Sequence, residues 1–262
     1  MYINVENKKT YIATGSKEHI EGSMGITFIH GTAMDHTVWT LASRHFARLG
    51  LNILAVDLPA HGHSEGDLIP SIEGMADWVI KAMDAAGLEK SIIVGHSMGS
   101  LVAFDVAARY PNRITALAMV GTALPMPVGD VLLNSAKENS PLAKDMINFW
   151  SHSQSGHLGG SQVPGTWMLG KLNRLLERAG PGVIHNDLLA CAKYSQGMER
   201  SKNVEAPTLL ILGEDDMMTP VKSAKALADA IPQSRTVILP NCGHAIVNEA
   251  PNEMLDALVT II

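Results

Sequence analysis

Cysteine is nearly lacking: Cys191 and Cys242 are the only two in 262 residues, and neither belongs to a CxxC pattern. That excludes a disulfide scaffold and a cofactor held by thiolates, and both are read as free thiols. Basic residues are outnumbered, with 20 Lys and Arg against 26 Asp and Glu for a net charge of −6, and no Lys/Arg run occurs. The electrostatic footprint of a nucleic-acid or membrane-surface binder is therefore missing, and a polyanionic substrate is not expected. No apolar stretch approaches the roughly 20 residues needed to span a bilayer. The N-terminal stretch MYINVENKKTYIATG lacks the basic start and apolar centre of a secretory signal, so a cytoplasmic protein is the expectation.

What is present is apolar content of 46%, enough over this length for one large core. Apolar runs of buried-strand character alternate with amphipathic stretches, the βαβα pattern of a mostly parallel sheet covered by helices on both faces. Strands are predicted at GITFIHG (25–31), LNILAVD (51–57), SIIVG (91–95), ITALAMVG (114–121), PTLLILG (207–213) and RTVILP (235–240). Ile72, Met75, Ala76, Val79, Ile80 and Met83 fall on one helical face, and Gly87 ends that helix. A second helix is predicted over 98–110, stopped by Pro111, and a third over 219–231 with Thr219 as N-cap and Pro220 in the first turn. Between 123 and 203 the rhythm breaks into loop signals and short helical patterns. The division expected is a core of 1–122 and 204–262 with a cap or lid insertion at 123–203.

The stretch SIIVGHSMGS places Ser97 at a strand end with Gly95 and Gly99 two residues to either side. A strand turning sharply into a helix crowds its turn residue, and glycines at those positions relieve the crowding. Such a turn lifts the serine hydroxyl above the strand ends and aims the free N–H groups of the following helix at the same point. A helix cap alone would not require glycine on both sides. Serine is a poor nucleophile at neutral pH and needs a histidine base oriented by a carboxylate. LLILGEDDMMTP (209–220) and LPNCGHAIVNEAP (239–251) supply Asp215, Asp216 and His244, each just after a predicted strand. The chain order is Ser, Asp, His.

On FIHGT, DLPAHGHS, GHSMG, GEDD and GHAIVNEAP, the sequence resembles the α/β-hydrolase fold enzymes over nearly its whole length, with Ala60 standing where many members carry glycine. The resemblance implies Ser97 as nucleophile, His244 as base and Asp216, in preference to Asp215, as the acid. It implies an oxyanion hole from the N–H groups of Met98 and of Thr32, with Ala33 next in line. His30, Asp57 and His61 are read as loop-shaping groups. His152, His157 and His185 lack metal-ligand spacing, and neither metal nor cofactor is called for. Ala33, Met34, Trp150, Trp167, Met168 and Met217 are the candidate substrate-pocket residues. Serine rather than aspartate at the turn argues against dehalogenase or epoxide hydrolase chemistry. The expected activity is that of a carboxylesterase on a small-molecule ester, similar to the pimeloyl-ester methyl esterases. Lactone, carbon–carbon (dienoic ketoacid) and perhydrolase reactions use the same residues, and a slow ligand-sensing relative is the alternative of another class.

Overall fold

Alternation along the central strands sends side chains to two separate cores. In Ser91–His96 (β5), Ile93 joins one apolar cluster while Ile92 and Val94 join the other. Asn52–Val56 (β4), Ile114–Val120 (β6) and Thr208–Gly213 (β7) divide in the same way. A sheet apolar on both faces must be covered on both. The computed structural model describes residues 1–262 and shows that arrangement.

With Tyr2–Val5 (β1), Lys8–Ala13 (β2), Gly25–Ile29 (β3) and Ser234–Leu239 (β8), eight strands order as β1-β2-β4-β3-β5-β6-β7-β8. Strand β3 pairs in parallel with β4 and β5, and parallel pairing continues through β6 and β7 to β8. Two strands that sequence periodicity did not reveal, β1 and β2, add an antiparallel hairpin at one edge. Its turn residues Glu6 and Asn7 both adopt positive φ, the twist-matched geometry of a two-residue hairpin turn.

Thr40–Arg48 (α1) and Pro251–Val259 (α12) lie on one face; Ile72–Ala85 (α2), Met98–Arg109 (α3) and Val221–Ala230 (α10) lie on the other. Helix α2 is capped by the Ser71 hydroxyl, which accepts from the Gly74 N–H, and stops before the left-handed Gly87. Helix α10 corrects one expectation: it begins at Val221 with Pro220 as its cap residue. The Thr219 hydroxyl, expected as the cap, is instead engaged by Asp216 and His244.

Six helices intervene between β6 and β7: Asp130–Lys137 (α4), Pro141–Ser151 (α5), Gln154–His157 (α6), Met168–Arg178 (α7), Val183–Lys193 (α8) and Gly197–Arg200 (α9). They sit across the C-terminal ends of the strands and return to the core where Tyr194 Oη donates to Asp105 Oδ1 of α3 (2.7 Å). A short helix, Ile246–Glu249 (α11), follows β8. No helix is long and apolar enough to cross a membrane.

Candidate active site

The strand order reverses at β3, whose neighbours β4 and β5 follow it on opposite sides. Loops leaving β3 and β5 diverge there and open a crevice at the strand ends. Ser97 occupies that point with φ 54° and ψ −120°, a strained backbone for a residue with a side chain. The glycines beside it are sterically obligatory. A Cβ on Gly95 would lie 1.9 Å from the Gly99 carbonyl oxygen, and one on Gly99 would lie 2.4 Å from the carbonyl oxygens of Ile29 and His30.

The structure brings Ser97, His244 and Asp216 into one chain of contacts. Ser97 Oγ is 2.8 Å from His244 Nε2, and His244 Nδ1 is 2.8 Å from Asp216 Oδ2. With a carboxylate facing Nδ1, that nitrogen carries the proton, and Nε2 accepts from the serine hydroxyl. Asp216 is fixed by three further donors: the N–H groups of Met218 (2.8 Å) and Thr219 (2.7 Å) on Oδ1, and the Thr219 hydroxyl on Oδ2 (2.7 Å). Burial alone would raise this carboxyl; the His244 imidazole and the Thr219 hydrogen bonds overcome it and hold the group at about 2. Asp215 points to solvent, with its N–H spent on the Cys242 carbonyl.

Around this centre lies a cavity of about 240 Å³ lined by Thr32, Ser97 and His244 from the core and by Met126, Leu132, Ile147, Trp150, Leu188 and Cys191 from the six-helix segment, with Met34, Met217 and Met218 adding further wall. No Lys, Arg, Asp or Glu lines it. Burial pushes the Cys191 thiol well above its ordinary range, so this wall residue is an apolar surface rather than a nucleophile.

Several expected pocket residues lie elsewhere. Trp167 is 71% exposed, its ring lying over Gly170 at the start of α7, and Met168 is buried away from the cavity. The Ala33 N–H is turned away as well, donating to Asp187 Oδ2 (2.9 Å). The Thr32 N–H has no partner within the chain, and Met98, as first residue of α3, presents an N–H without an intrahelical acceptor. His96 does not reach the cavity; it is fully buried, and its Nε2–H donates to the His244 carbonyl (2.9 Å). Burial, and then the neighbouring His244, push His96 down to about 3. His30 is likewise buried and neutral, lowered to about 4, first by burial and then by His61. Its Nδ1–H donates to the Gly31 carbonyl, and its Nε2 accepts from the Leu58 N–H.

Two buried carboxylates that brace the loops of the site, Glu249 and Asp187, were missed by the sequence reading. Glu249 accepts from the Gly243 N–H (2.6 Å) on one oxygen and from the N–H and hydroxyl of Ser153 (2.8 and 2.7 Å) on the other. It thereby ties the His244 loop to the six-helix segment. Asp187 ties the loop after β3 to the same segment. Its signal was present: Val183, Ile184, Leu188 and Cys191 form an apolar stripe on α8, and Asp187 falls within it.

Residues 26–251 match the family described as alpha/beta hydrolase fold. A 2-hydroxy-6-oxononadienedioate/2-hydroxy-6-oxononatrienedioate hydrolase of Comamonas testosteroni is 26% identical over 234 residues, covering 84% of this chain and 80% of that protein. A pimeloyl-[acyl-carrier protein] methyl ester esterase of Nitrosomonas europaea is 26% identical over 241 residues, covering 88% and 92%. Among solved structures, the enol-lactonase from Burkholderia xenovorans LB400 superposes with a TM-score of 0.86 at 20% identity, covering 100% of this chain and 99% of that one. With the family match extending from β3 to the start of the last helix, the chain belongs to the α/β hydrolase fold family and is a hydrolase.

Proposed function

We propose that the protein is a serine hydrolase cleaving uncharged carboxylic esters of small or medium acyl chain, with the helices of 123–203 acting as a substrate-shaping cap. The observation that carries this reading is the apolar cavity, free of charged residues, that opens directly on Ser97. An acyl chain without charge gains by leaving water for such walls, whereas a carboxylate buried there would find no cation. This is why a neutral ester is favoured over a dienedioate, the substrate named for the Comamonas relative.

Ser97 Oγ attacks the ester carbonyl as its proton passes to His244 Nε2, while Asp216 stabilises the imidazolium. The carbonyl oxygen becomes an oxyanion that accepts from the N–H groups of Thr32 and Met98. Collapse breaks the bond to the alcohol, which leaves with the proton from His244, and the acyl group stays on Ser97. Water repeats the sequence: His244 takes its proton, the acyl–serine bond breaks, and the acid departs. The mechanism requires no cofactor or metal.

The test is hydrolysis of p-nitrophenyl esters from acetate to decanoate by the wild type and Ser97→Ala. Turnover that peaks at short or medium chains and vanishes in the variant is expected. Hydrolysis that survives in Ser97→Ala, or folded wild type inert on every ester, would sink the reading.

A further inference from the structure

Ala33 adopts φ 55°, a left-handed conformation that costs a residue with a Cβ about 1 kcal/mol. Its side chain is buried in one of the two apolar clusters, and its N–H makes the specific long-range contact. That N–H donates to Asp187 Oδ2 at 2.9 Å, across 154 residues of sequence and from the opposite side of the crevice. The same oxygen faces His61 Nε2 at 2.9 Å, and His61 Nδ1 faces the Pro59 carbonyl oxygen at 2.9 Å. Both ring nitrogens thus meet acceptors and both carry protons, so Asp187 and His61 form a buried ion pair. Burial alone would push His61 down, but the Asp187 carboxylate raises it above the ordinary histidine value. The other carboxylate oxygen accepts from Asn186 Nδ2 (3.2 Å), and Asp187 is wholly buried.

Thr32 therefore lies between two fixed points. On one side the Gly31 carbonyl accepts from the Met34 N–H (3.1 Å) and from His30 Nδ1 (2.9 Å). On the other the Thr32–Ala33 peptide is held by Asp187. Without that acceptor, Ala33 would relax toward negative φ and turn the adjoining peptides with it. Helix α8 also supplies Leu188 and Cys191 to the cavity wall, so one rigid element carries both the acyl-binding surface and the grip on this loop.

We propose that Asp187, paired with His61, is a positioning residue that sets the Thr32 N–H for the oxyanion from within the helical segment. The proposal rests on the acyl-transfer reading given above. It makes the segment part of the catalytic geometry as well as the pocket wall. Asp187 touches no reacting atom; its effect passes through Ala33 to Thr32.

The experiment compares wild type, Asp187→Asn and Asp187→Ala on the best p-nitrophenyl ester, together with their affinities for an alkyl trifluoromethyl ketone, whose adduct with Ser97 carries an oxyanion. In Asp187→Ala, kcat is expected to fall about 10- to 100-fold with KM within about 3-fold, because orientation matters to the transition state more than to the bound ester. Ketone affinity should fall in parallel with kcat/KM. The Asn variant keeps an oxygen for the Ala33 N–H and should recover most of the loss, with ketone affinity lowered about 5-fold because a neutral acceptor replaces a charged one. Should the Ala variant not fold, the Asn variant decides: ketone affinity equal to wild type overturns the proposal. An Ala variant whose kcat stays within twofold of wild type also overturns it. Labelling of wild-type Ser97 by a fluorophosphonate keeps the two readings apart. Wild type that neither labels nor hydrolyses esters defeats the acyl-transfer reading, whereas labelled, active wild type with unaffected variants defeats only the role of Asp187.

Discussion

Asp216 holds four hydrogen bonds, and only one of them is to the group it is proposed to serve. The Met218 and Thr219 N–H groups and the Thr219 hydroxyl occupy the carboxylate before His244 is considered. Those donors keep the side chain from rotating, so the imidazole meets an acceptor in one place and takes the tautomer with hydrogen on Nδ1. In Asp216→Asn, an amide hydrogen can face Nδ1 and favour the other tautomer, whose Nε2–H cannot accept the serine proton. Turnover should fall on the order of 10⁴-fold. Asp215→Asn, one residue away on the solvent side, should stay within a few-fold. Steady-state kinetics of the two purified variants, run in parallel, check the ranking, and the reverse order would transfer the orienting role to Asp215. Ala60 shows the same economy at a smaller scale. It sits at φ 63° in the loop that carries His61, the conformation for which glycine would be the unstrained choice, so alanine here carries backbone strain that glycine would not.

At the scale of elements, the junction of β5 and α3 is a collision managed by two missing side chains. Gly95 →Ala would set a Cβ 1.9 Å from the Gly99 carbonyl oxygen, where backbone meets backbone and no side chain can swing aside. The expected cost is at least about 3 kcal/mol, read as a drop in thermal midpoint of several degrees together with loss of ester turnover. Gly87→Ala is the control: it has the unfavourable φ of 73° but open space around it, and should cost about 1 kcal/mol with turnover intact. Equal melting temperatures for the two variants would contradict this account. Elements of this kind were legible in the sequence because their constraints are local. The six strands from β3 to β8 are short and, apart from exposed β8, buried on both faces, so they read as apolar runs, and the glycines mark the turn. β1 and β2 were not legible because an edge hairpin buries few side chains; Tyr2, Lys8 and Lys9 are exposed. The start of α10 was misplaced because Thr219 had a tertiary use that outweighed capping. Trp167 was misassigned because a large aromatic in a short helical segment carries no signal for which side it faces.

Across the whole molecule, what sequence could not supply is pairing at long range: Asp187 with His61 and Ala33, and Glu249 with Ser153, join segments 96 to 154 residues apart. The buried histidines form another property of the whole, since they turn the site into a source of acid sensitivity. His30 and His96 are fully buried and neutral, lowered to about 4 and about 3. An unfolded chain takes protons on both near pH 6.5 while the native state refuses them. The stability they confer is therefore complete above pH 6.5 and is lost as pH falls toward 4 and then 3. His152, lowered by burial, acts in the same direction. Asp216, held at about 2, loses its contribution only as pH falls through the carboxylate range, below this window; His61, raised by Asp187, works in the opposite direction, gaining stability as pH falls through 6.5, and offsets a minor part of the loss. Between pH 7 and pH 5 the two fully buried histidines together should remove about 4 kcal/mol of unfolding free energy, a large share of the ~5–15 kcal/mol typical of a domain. Urea unfolding at the two pH values measures it directly. His96→Gln, whose amide N–H can still reach the His244 carbonyl, should weaken the slope by about half of that 4 kcal/mol, because one of two titrating groups is gone. A slope unchanged in the variant, or stability that does not fall toward pH 5, would mean that protons are accommodated in this core and that the neutral histidines are not what holds it.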